Sequence, residues 1–297
     1  VNKKILISGA SGLVGSLLKV TLQGAGYECF SLVRRTPKDQ NEIEWHPDAG
    51  KIGKLPENLF GVINLAGENI AGGLWTISRK DKIWRSRVDS TRVLVKACRA
   101  LPVMPEVFIS ASGIGVYKDY GDQEIREDGL VGEGFLAHLA SAWEAEAHKA
   151  EPEMRVVVLR IGMVISKQGG ALAKMALPFS LGLGGILGTG KQFMSWIHLE
   201  DLIRVIKFSL ETKSINGPVN AVAPRPVTNY EFTKTLGRVL RRPTILPAPA
   251  WALKFVLGGL AEELLLLSNR AIPAKLQAAG FKFNFPGIEG AFRAELN

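Results

Sequence analysis

Two cysteines, Cys29 and Cys98, and four histidines are all that this 297-residue chain has of the side chains that cross-link folds or bind soft metals. Two thiols cannot build a disulfide framework or a four-thiolate zinc site, and no two of His46, His138, His148 and His198 have the spacing of a ligand pair. No metal is expected. A long uninterrupted apolar run is also missing. Residues 251–267 carry Lys254, Glu262 and Glu263, and residues 171–190 carry Lys174, Pro178 and five glycines, so no membrane span is expected. The opening Lys3-Lys4-Ile5-Leu6-Ile7 reads as a strand running straight into glycines rather than as a leader, which points to a cytoplasmic protein. The hydrophobic fraction of 46% lies far above that of a disordered chain, and the length suits one large α/β domain, with or without a smaller appendage.

Negative charge is in short supply: the net charge is +9, unevenly spread. Residues 79–99 hold eight Lys/Arg against two Asp, and residues 225–297 hold ten against five Glu. Neither cluster comes with a nucleic-acid reading motif, so no nucleic-acid partner is expected. The first cluster reads as a basic helix, partly solvated and partly aimed at an anionic cofactor.

What is present is an alternation of strand and helix signals with the spacing of a parallel sheet. Residues 4–8 predict a first strand, and Leu13, Val14, Leu17, Leu18 and Leu22 recur at helical spacing over 13–24. Further strands are expected at 29–33, 61–65, 106–111 and 155–159, with helices at 78–100 and 135–149. After residue 165 the alternation loosens. Residues 166–190 read as glycine-rich and irregular, and 198–211 as a helix with Glu200 and Asp201 favourably placed in its first turn. A short strand at 218–222 precedes a helix capped by Thr228 and Asn229. The last segment, beyond the prolines at 243, 247 and 249, reads as mostly helical.

Gly9-Ala10-Ser11-Gly12-Leu13-Val14-Gly15 lies between the first strand and the first helix. Glycines there permit a tight turn, close approach of backbone to a pyrophosphate, and close packing of helix on strand, while the helix start offers unpaired N–H groups. A glycine triplet alone is a weak signal, but placed directly after an apolar strand it predicts a dinucleotide site. A further absence selects the dinucleotide. An NAD site sets Asp or Glu at the end of the second strand, roughly 20 residues past the glycines. Here that strand ends Leu32-Val33-Arg34-Arg35-Thr36. Two guanidiniums match a 2′-phosphate in charge and fork geometry, so NADP is the expected cofactor; the alternative is that both arginines are exposed loop residues.

The Gly-x-x-Gly-x-x-Gly spacing, Asn64-Leu65-Ala66-Gly67, Ser110-Ala111-Ser112-Gly113-Ile114-Gly115-Val116-Tyr117 and Leu159-Arg160-Ile161-Gly162-Met163-Val164 together resemble the extended short-chain dehydrogenase/reductases, the NAD-dependent epimerase/dehydratase-like members. Ser86-Arg87, Trp143-Glu144, Gly182-Leu-Gly-Gly185, Trp196-Ile-His198 and Pro273 through Gly280-Phe281 look like one atypical, NADP-dependent branch, and the resemblance covers nearly the whole chain. It implies an α/β fold: a Rossmann doubly wound parallel sheet over 1–165 with 198–222, and a smaller, mostly helical C-terminal substrate domain over 166–197 with 223–297. It also implies that Gly9, Ser11, Gly12, Leu13, Val14 and Gly15 hold the pyrophosphate and that Arg34 and Arg35 hold the 2′-phosphate. Leu65, Ala66 and Gly67 would flank adenosine and ribose, Arg87 would add a cofactor contact, and Met163 would touch the nicotinamide side. For Arg87 the alternative is one more solvated arginine.

The superfamily's Tyr-x-x-x-Lys pair is missing from its place. There the lysine lowers the tyrosine pKa, the tyrosine exchanges a proton with the substrate oxygen, and a serine hydrogen-bonds that oxygen. Only Tyr230 has a lysine four residues on, Lys234, and it falls after the 155–159 strand instead of before it. The helix that should carry the pair has Leu136 or His138 at the tyrosine position and Ala140 or Ala142 at the lysine position. Ser112, Tyr117 and His138 remain as catalytic candidates: the serine for a carbonyl, the tyrosine from its Val-Tyr segment, the histidine as a substitute acid. Residues 182–190 read either as a flap over the nicotinamide or as an irregular connection, with Lys191, Gln192 and Trp196 as candidate contacts for a polar substrate. Two functions stay open: an NADP-dependent oxidoreductase or nucleotide-sugar-epimerase-like enzyme acting on a small-molecule substrate, or a non-catalytic NADP(H)-binding regulatory protein. A monomer and a homodimer are both compatible with the sequence.

Overall fold

The structure is a computed structural model that describes residues 3–296. In chain order the elements are β1 (Lys4–Ser8), α1 (Leu13–Gly24), β2 (Glu28–Val33), β3 (Glu42–His46), β4 (Lys51–Ile52), β5 (Leu59–Asn64), α2 (Ile77–Arg85), α3 (Val88–Arg99), β6 (Val107–Gly113), α4 (Gly134–His148), β7 (Arg155–Ile161), β8 (Met163–Ile165), α5 (Gly170–Ser180), β9 (Phe193–Met194), β10 (Trp196–His198), α6 (Leu199–Glu211), β11 (Gly217–Ala221), β12 (Val227–Thr228), α7 (Asn229–Leu240), α8 (Ala250–Leu257), α9 (Ala274–Ala278) and α10 (Ile288–Leu296). Eight strands form one sheet in the order β11-β7-β6-β5-β1-β2-β3-β4. β1 pairs in parallel with β2 on one side and β5 on the other, β2 with β3 and β5 with β6, while β4 turns back antiparallel on β3. This is the Rossmann arrangement, with a C-terminal helical region. Strand order reverses at β1, and in open parallel sheets ligands bind at such a switch point, outside the carboxyl ends of the strands.

Apolar runs made the buried strands. Ile5, Leu6, Ile7, Val62, Ile63 and Phe108 have no exposed surface, and burying each such side chain is worth roughly 1.5–3 kcal/mol. By compactness the chain falls into two units. The first comprises the residues up to Ser112, with 139–159 and 203–219; the second comprises 113–138, 160–202 and the residues from 220 on. The first is cored by Leu6, Phe30, Leu32, Val62, Leu94, Phe108 and Val156 among others. The second is cored by Leu172, Trp196, Phe232, Leu236 and Phe292, with Phe232 and Phe292 edge to face at 4.9 Å.

Three local differences from the sequence reading have physical causes. The single helix expected over 78–100 is two, α2 and α3, because the chain breaks at Ser86-Arg87, where the Arg87 guanidinium turns back to donate to Ile83 O. Residues 166–190 contain α5, with Pro178 inside its last turn. β3 was not expected, although Glu-Ile-Glu-Trp-His alternates and buries Ile43 and Trp45. The compact units also differ from a division at residue 165, since 113–138 and 160–165 fall in the second unit. Ile125 N donates to Arg270 O and Ile272 N to Ile125 O, pairings across almost 150 residues that no local pattern announces. Among the described residues, no helix is long and apolar enough to cross a membrane, and no group of three or more His, Cys, Asp or Glu gathers as a metal site.

Candidate dinucleotide-binding site

In the first unit, a cleft of about 870 Å3 opens at the C-terminal ends of β1, β2 and β5, lined by Gly9 to Gly12, Ser31 to Arg35 and Leu65 to Glu68. Gly9 turns the chain with φ of 71°, and a Cβ there would lie 2.7 Å from Leu65 O. Gly12 N donates to Gly9 O and Gly12 caps α1 without a side chain. The first intrahelical bond is Ser16 N to Gly12 O, which leaves the Leu13, Val14 and Gly15 N–H groups ahead of any helical acceptor. Such a helix start attracts an anion. Leu13, Val14 and Gly15 are not themselves among the cleft-lining residues. Gly15 serves packing: a Cβ on it would fall 2.2 Å from Gly9 O, so any larger residue would push α1 off the turn.

The opposite wall, Leu65-Ala66-Gly67, is held by a buried network that the sequence reading missed. Ser8 Oγ donates to Asn64 Oδ1 at 2.6 Å and accepts from Leu65 N and Ala66 N at 3.1 Å each. Asn64 Nδ2 donates to Thr91 Oγ1 at 2.7 Å, and Trp143 Nε1 donates to the same hydroxyl at 2.9 Å. A serine ending an otherwise apolar strand was the available signal. Arg87 also belongs to this wall. It is buried, does not line the cleft, donates to Glu68 O at 2.9 Å, and lies 5.3 Å over the Trp143 ring. Burial lowers its pKa to about 10, and a Cβ on Gly67 would meet its guanidinium at 3.0 Å. Arg87 is therefore not a solvated arginine: its guanidinium backs the cleft wall at Gly67.

Five basic residues line the cleft: Lys19, Arg34, Arg35, Lys82 and Arg85. Two are neutralised internally. Arg85 pairs with Asp81 at 3.0 Å, and Arg35 makes a two-pronged pair with Glu42 at 2.6 and 2.7 Å. That pair, with Lys38 N, pulls the Glu42 pKa down to about 2. The side chains of Lys19, Arg34 and Lys82 make no hydrogen bond or ion pair among the described residues. Glu42 escaped the sequence reading because the carboxylate was sought on β2, whereas Glu42 lies beside Ser31 on the neighbouring strand.

The catalytic candidates are not gathered in the cleft. Ser112, at the end of β6, is buried and its Oγ donates to Glu144 Oε1 of α4 at 2.7 Å, so its proton is already engaged. Tyr117, in the second unit, is 1% exposed; its hydroxyl donates to Asn220 Oδ1 at 2.7 Å and accepts from Arg160 at 2.9 Å. The Tyr117 hydroxyl thus has both a donor and an acceptor partner within the fold. His138 is exposed near the start of α4, whose Phe135 and Leu136 N–H groups donate to Glu263. Met163 sits in the second unit, its N–H on Ser195 O and its side chain against that unit's core.

Other expectations also meet competing structural uses. Lys234 donates to Thr244 O and Oγ1 while its ammonium lies 5.7 Å over the ring of the half-exposed Tyr230. Gln192 Nε2 donates to Leu187 O and Leu265 O, and the buried Trp196 donates to Arg225 O, so both donors are used within the fold. The 182–190 segment is tied down by Gly188 N on Ala248 O, Ala248 N on Ile186 O and Leu187 N on Asn229 Oδ1.

Comparison with known proteins agrees with this geometry. The NAD dependent epimerase/dehydratase family matches residues 5–221, and a domain of unknown function, DUF1731, matches 248–295. The chain is 35% identical to the human epimerase family protein SDR39U1, over 98% of each chain, and 40% identical to the epimerase family protein Mb2239 of Mycobacterium bovis, over 95% of this chain and 94% of that one. A crystal structure of human SDR39U1 (isoform 2) with NADPH superposes with a TM-score of 0.91 at 33% identity, covering 98% of each chain. A nucleoside-diphosphate sugar epimerase from Corynebacterium glutamicum gives 0.81 at 32%, covering all of this chain and 58% of that one. With the family match spanning most of the chain and full-length relatives above 30% identity, this protein belongs to the NAD-dependent epimerase/dehydratase family, of the extended short-chain dehydrogenase/reductase type.

Proposed function

We propose that the chain binds NADP(H) in the cleft of its first unit and is an oxidoreductase or sugar-epimerase-like enzyme acting on a small molecule. The observation that carries this reading is the end of β2, where Arg34 lines the cleft with a guanidinium that has no partner among the described residues and the C-terminal end of the strand supplies no carboxylate. The NADPH in the human relative's crystal structure supports it. The residues present fit such a group. The Gly9 turn and the free N–H groups of α1 suit a pyrophosphate, Leu65, Ala66 and Gly67 form a wall for the adenosine, and Arg34, with the Arg35–Glu42 pair beside it, brings positive charge to a 2′-phosphate.

When bound, the cofactor supplies or accepts hydride. Ser112, whose Oγ is oriented by its hydrogen bond to Glu144 Oε1, is the residue we assign to the substrate oxygen. His138, exposed on α4, is the candidate acid of the second unit.

Calorimetric titration of cofactor-stripped protein tests the reading. NADPH is expected to bind at least about tenfold more tightly than NADH, with the preference lost in Arg34→Ala/Arg35→Ala. Equal or absent binding of both would remove the cofactor assignment. Given turnover on a carbonyl or sugar, Ser112→Ala should slow it by about tenfold with cofactor affinity unchanged. A second reading, a non-catalytic NADP(H)-binding regulator, is favoured by the sealed Tyr117 hydroxyl and by the alanines where α4 would carry a lysine. It predicts tight NADPH binding with no consumption of NADPH against any carbonyl panel.

A further inference from the structure

The cleft holds a carboxylate that the cofactor reading leaves unused. Glu42 opens β3, lies beside Ser31 of β2, and lines the same cleft as Arg34 and Arg35. Both of its oxygens are taken. Oε1 accepts from Arg35 Nη2 at 2.6 Å, and Oε2 accepts from Arg35 Nη1 and from Lys38 N, each at 2.7 Å. Arg35 Nη1 also donates to Thr36 O at 2.9 Å. The guanidinium fork, the feature that makes arginine a good phosphate ligand, is thus already filled by a carboxylate of matching shape.

An arriving 2′-phosphate therefore meets two arginines in different states. Arg34 is exposed and its side chain has no partner among the described residues. Arg35 is neutralised by an anion. For Arg35 to grip the phosphate with its fork, Glu42 would have to let go, and a freed carboxylate would then face the phosphate across a short distance in the same cleft. Arg34 carries no such opposing cost. NADH has a neutral hydroxyl at the position of the phosphate and is much less sensitive to either charge.

Resting on the NADP reading above, we propose that Arg34 alone reads the 2′-phosphate, that Arg35 serves the cofactor by neutralising Glu42, and that Glu42 sets how strongly NADP(H) is preferred over NAD(H). Glu42 is in these terms a specificity-determining residue acting through its neighbour.

The test is a double-mutant cycle read by calorimetric binding of NADPH and NADH to the full chain, with circular dichroism to confirm folding of each variant. Arg34→Ala should weaken NADPH by at least about tenfold. Arg35→Ala leaves the Glu42 carboxylate bare and should weaken NADPH by about three- to tenfold. Adding Glu42→Gln to Arg35→Ala should return NADPH affinity to within about twofold of wild type, and Glu42→Gln alone, which frees the fork, should tighten it. NADH affinity should stay within about twofold throughout. If the Arg35→Ala loss persists in Arg35→Ala/Glu42→Gln, Arg35 binds the phosphate directly and the division of labour is overturned. Weaker NADPH binding in Glu42→Gln would overturn it too, because Glu42 would then be orienting Arg35 for the phosphate. Either result, with wild-type preference for NADPH intact, leaves the cofactor reading standing; a wild type without that preference overturns both.

Discussion

The cleft at the ends of β1 and β2 and the cluster around Tyr117 are made from the same kinds of groups, yet they differ in how many of those groups are spent. In the cleft, Lys19, Arg34 and Lys82 have no side-chain partner among the described residues, and the first turn of α1 offers N–H groups ahead of any helical acceptor. Around Tyr117 the donors are consumed. Tyr117 binds Asn220 and Arg160, Arg160 continues to Glu127 O, Glu127 Oε1 accepts from Asn220 N and Lys275 N, and Asn220 Nδ2 reaches Ile272 O at 2.9 Å. A buried network in which each member is satisfied rigidifies a fold, whereas unspent donors in a cleft are what a ligand can use. Polarity alone therefore does not mark a site.

The largest expected effect lies in the cleft. Gly15→Ala forces a methyl to within 2.2 Å of Gly9 O, and NADPH affinity should fall by about two orders of magnitude while stability drops by about 1–3 kcal/mol. Titration and urea unfolding measure both; unchanged NADPH binding would show that the glycine turn does not hold the pyrophosphate. Tyr117→Phe should do the opposite, costing about 1–3 kcal/mol of stability while leaving NADPH affinity within about twofold. A rise in the dissociation constant beyond that would erase the contrast between the two regions.

A pH effect sharpens the comparison within the second unit. Burial holds the pKa of His198 below its ordinary value of 6.5, working against the nearby carboxylates of Glu295, Asp201 and Glu200. Its Nε2 lies 3.1 Å from Glu295 Oε1, and its ring stacks on Phe285 at 3.8 Å. Because the unfolded chain binds this proton more readily, the stabilisation is complete above about pH 6.5 and is lost as the pH falls from there towards the folded pKa. Melting curves across that range should show the decline, and His198→Gln should flatten it. The smallest effect is expected from Glu263→Gln. It weakens the cap that Glu263 places on α4, costs about 0.5–2 kcal/mol, and should appear first as faster hydrogen exchange at Phe135 and Leu136.

Much of the fold was legible because its signals are short-range. The Ile5-Leu6-Ile7 run, the apolar spacing from Leu13 to Leu22, and the Thr228 cap, which the structure completes as a capping box with Glu231, each act over a few residues. The glycine turn was legible for the same reason, although Gly15 proved to pack α1 against the turn instead of lining the cleft. β3 was missed despite its alternation, and the break between α2 and α3 was hidden because Arg87 lies among many basic residues and only its burial distinguishes it.

The sequence by itself determined the parallel α/β class, the glycine turn, the positive end of β2 and the absence of a Tyr-x-x-x-Lys pair ahead of β7, because periodicity, backbone freedom and side-chain charge are properties of neighbouring residues. Tertiary structure decided which of the candidate groups remain free. Tyr117 meets Asn220 from 103 residues away, Glu263 reaches Leu136 across 127, and Ser112 donates its hydrogen bond to Glu144 across 32. Even Arg35 and Glu42, only seven residues apart, meet because two strands lie side by side. Whether a polar side chain is spent depends on the partner that folding brings to it, and that partner is set by the packing of distant elements.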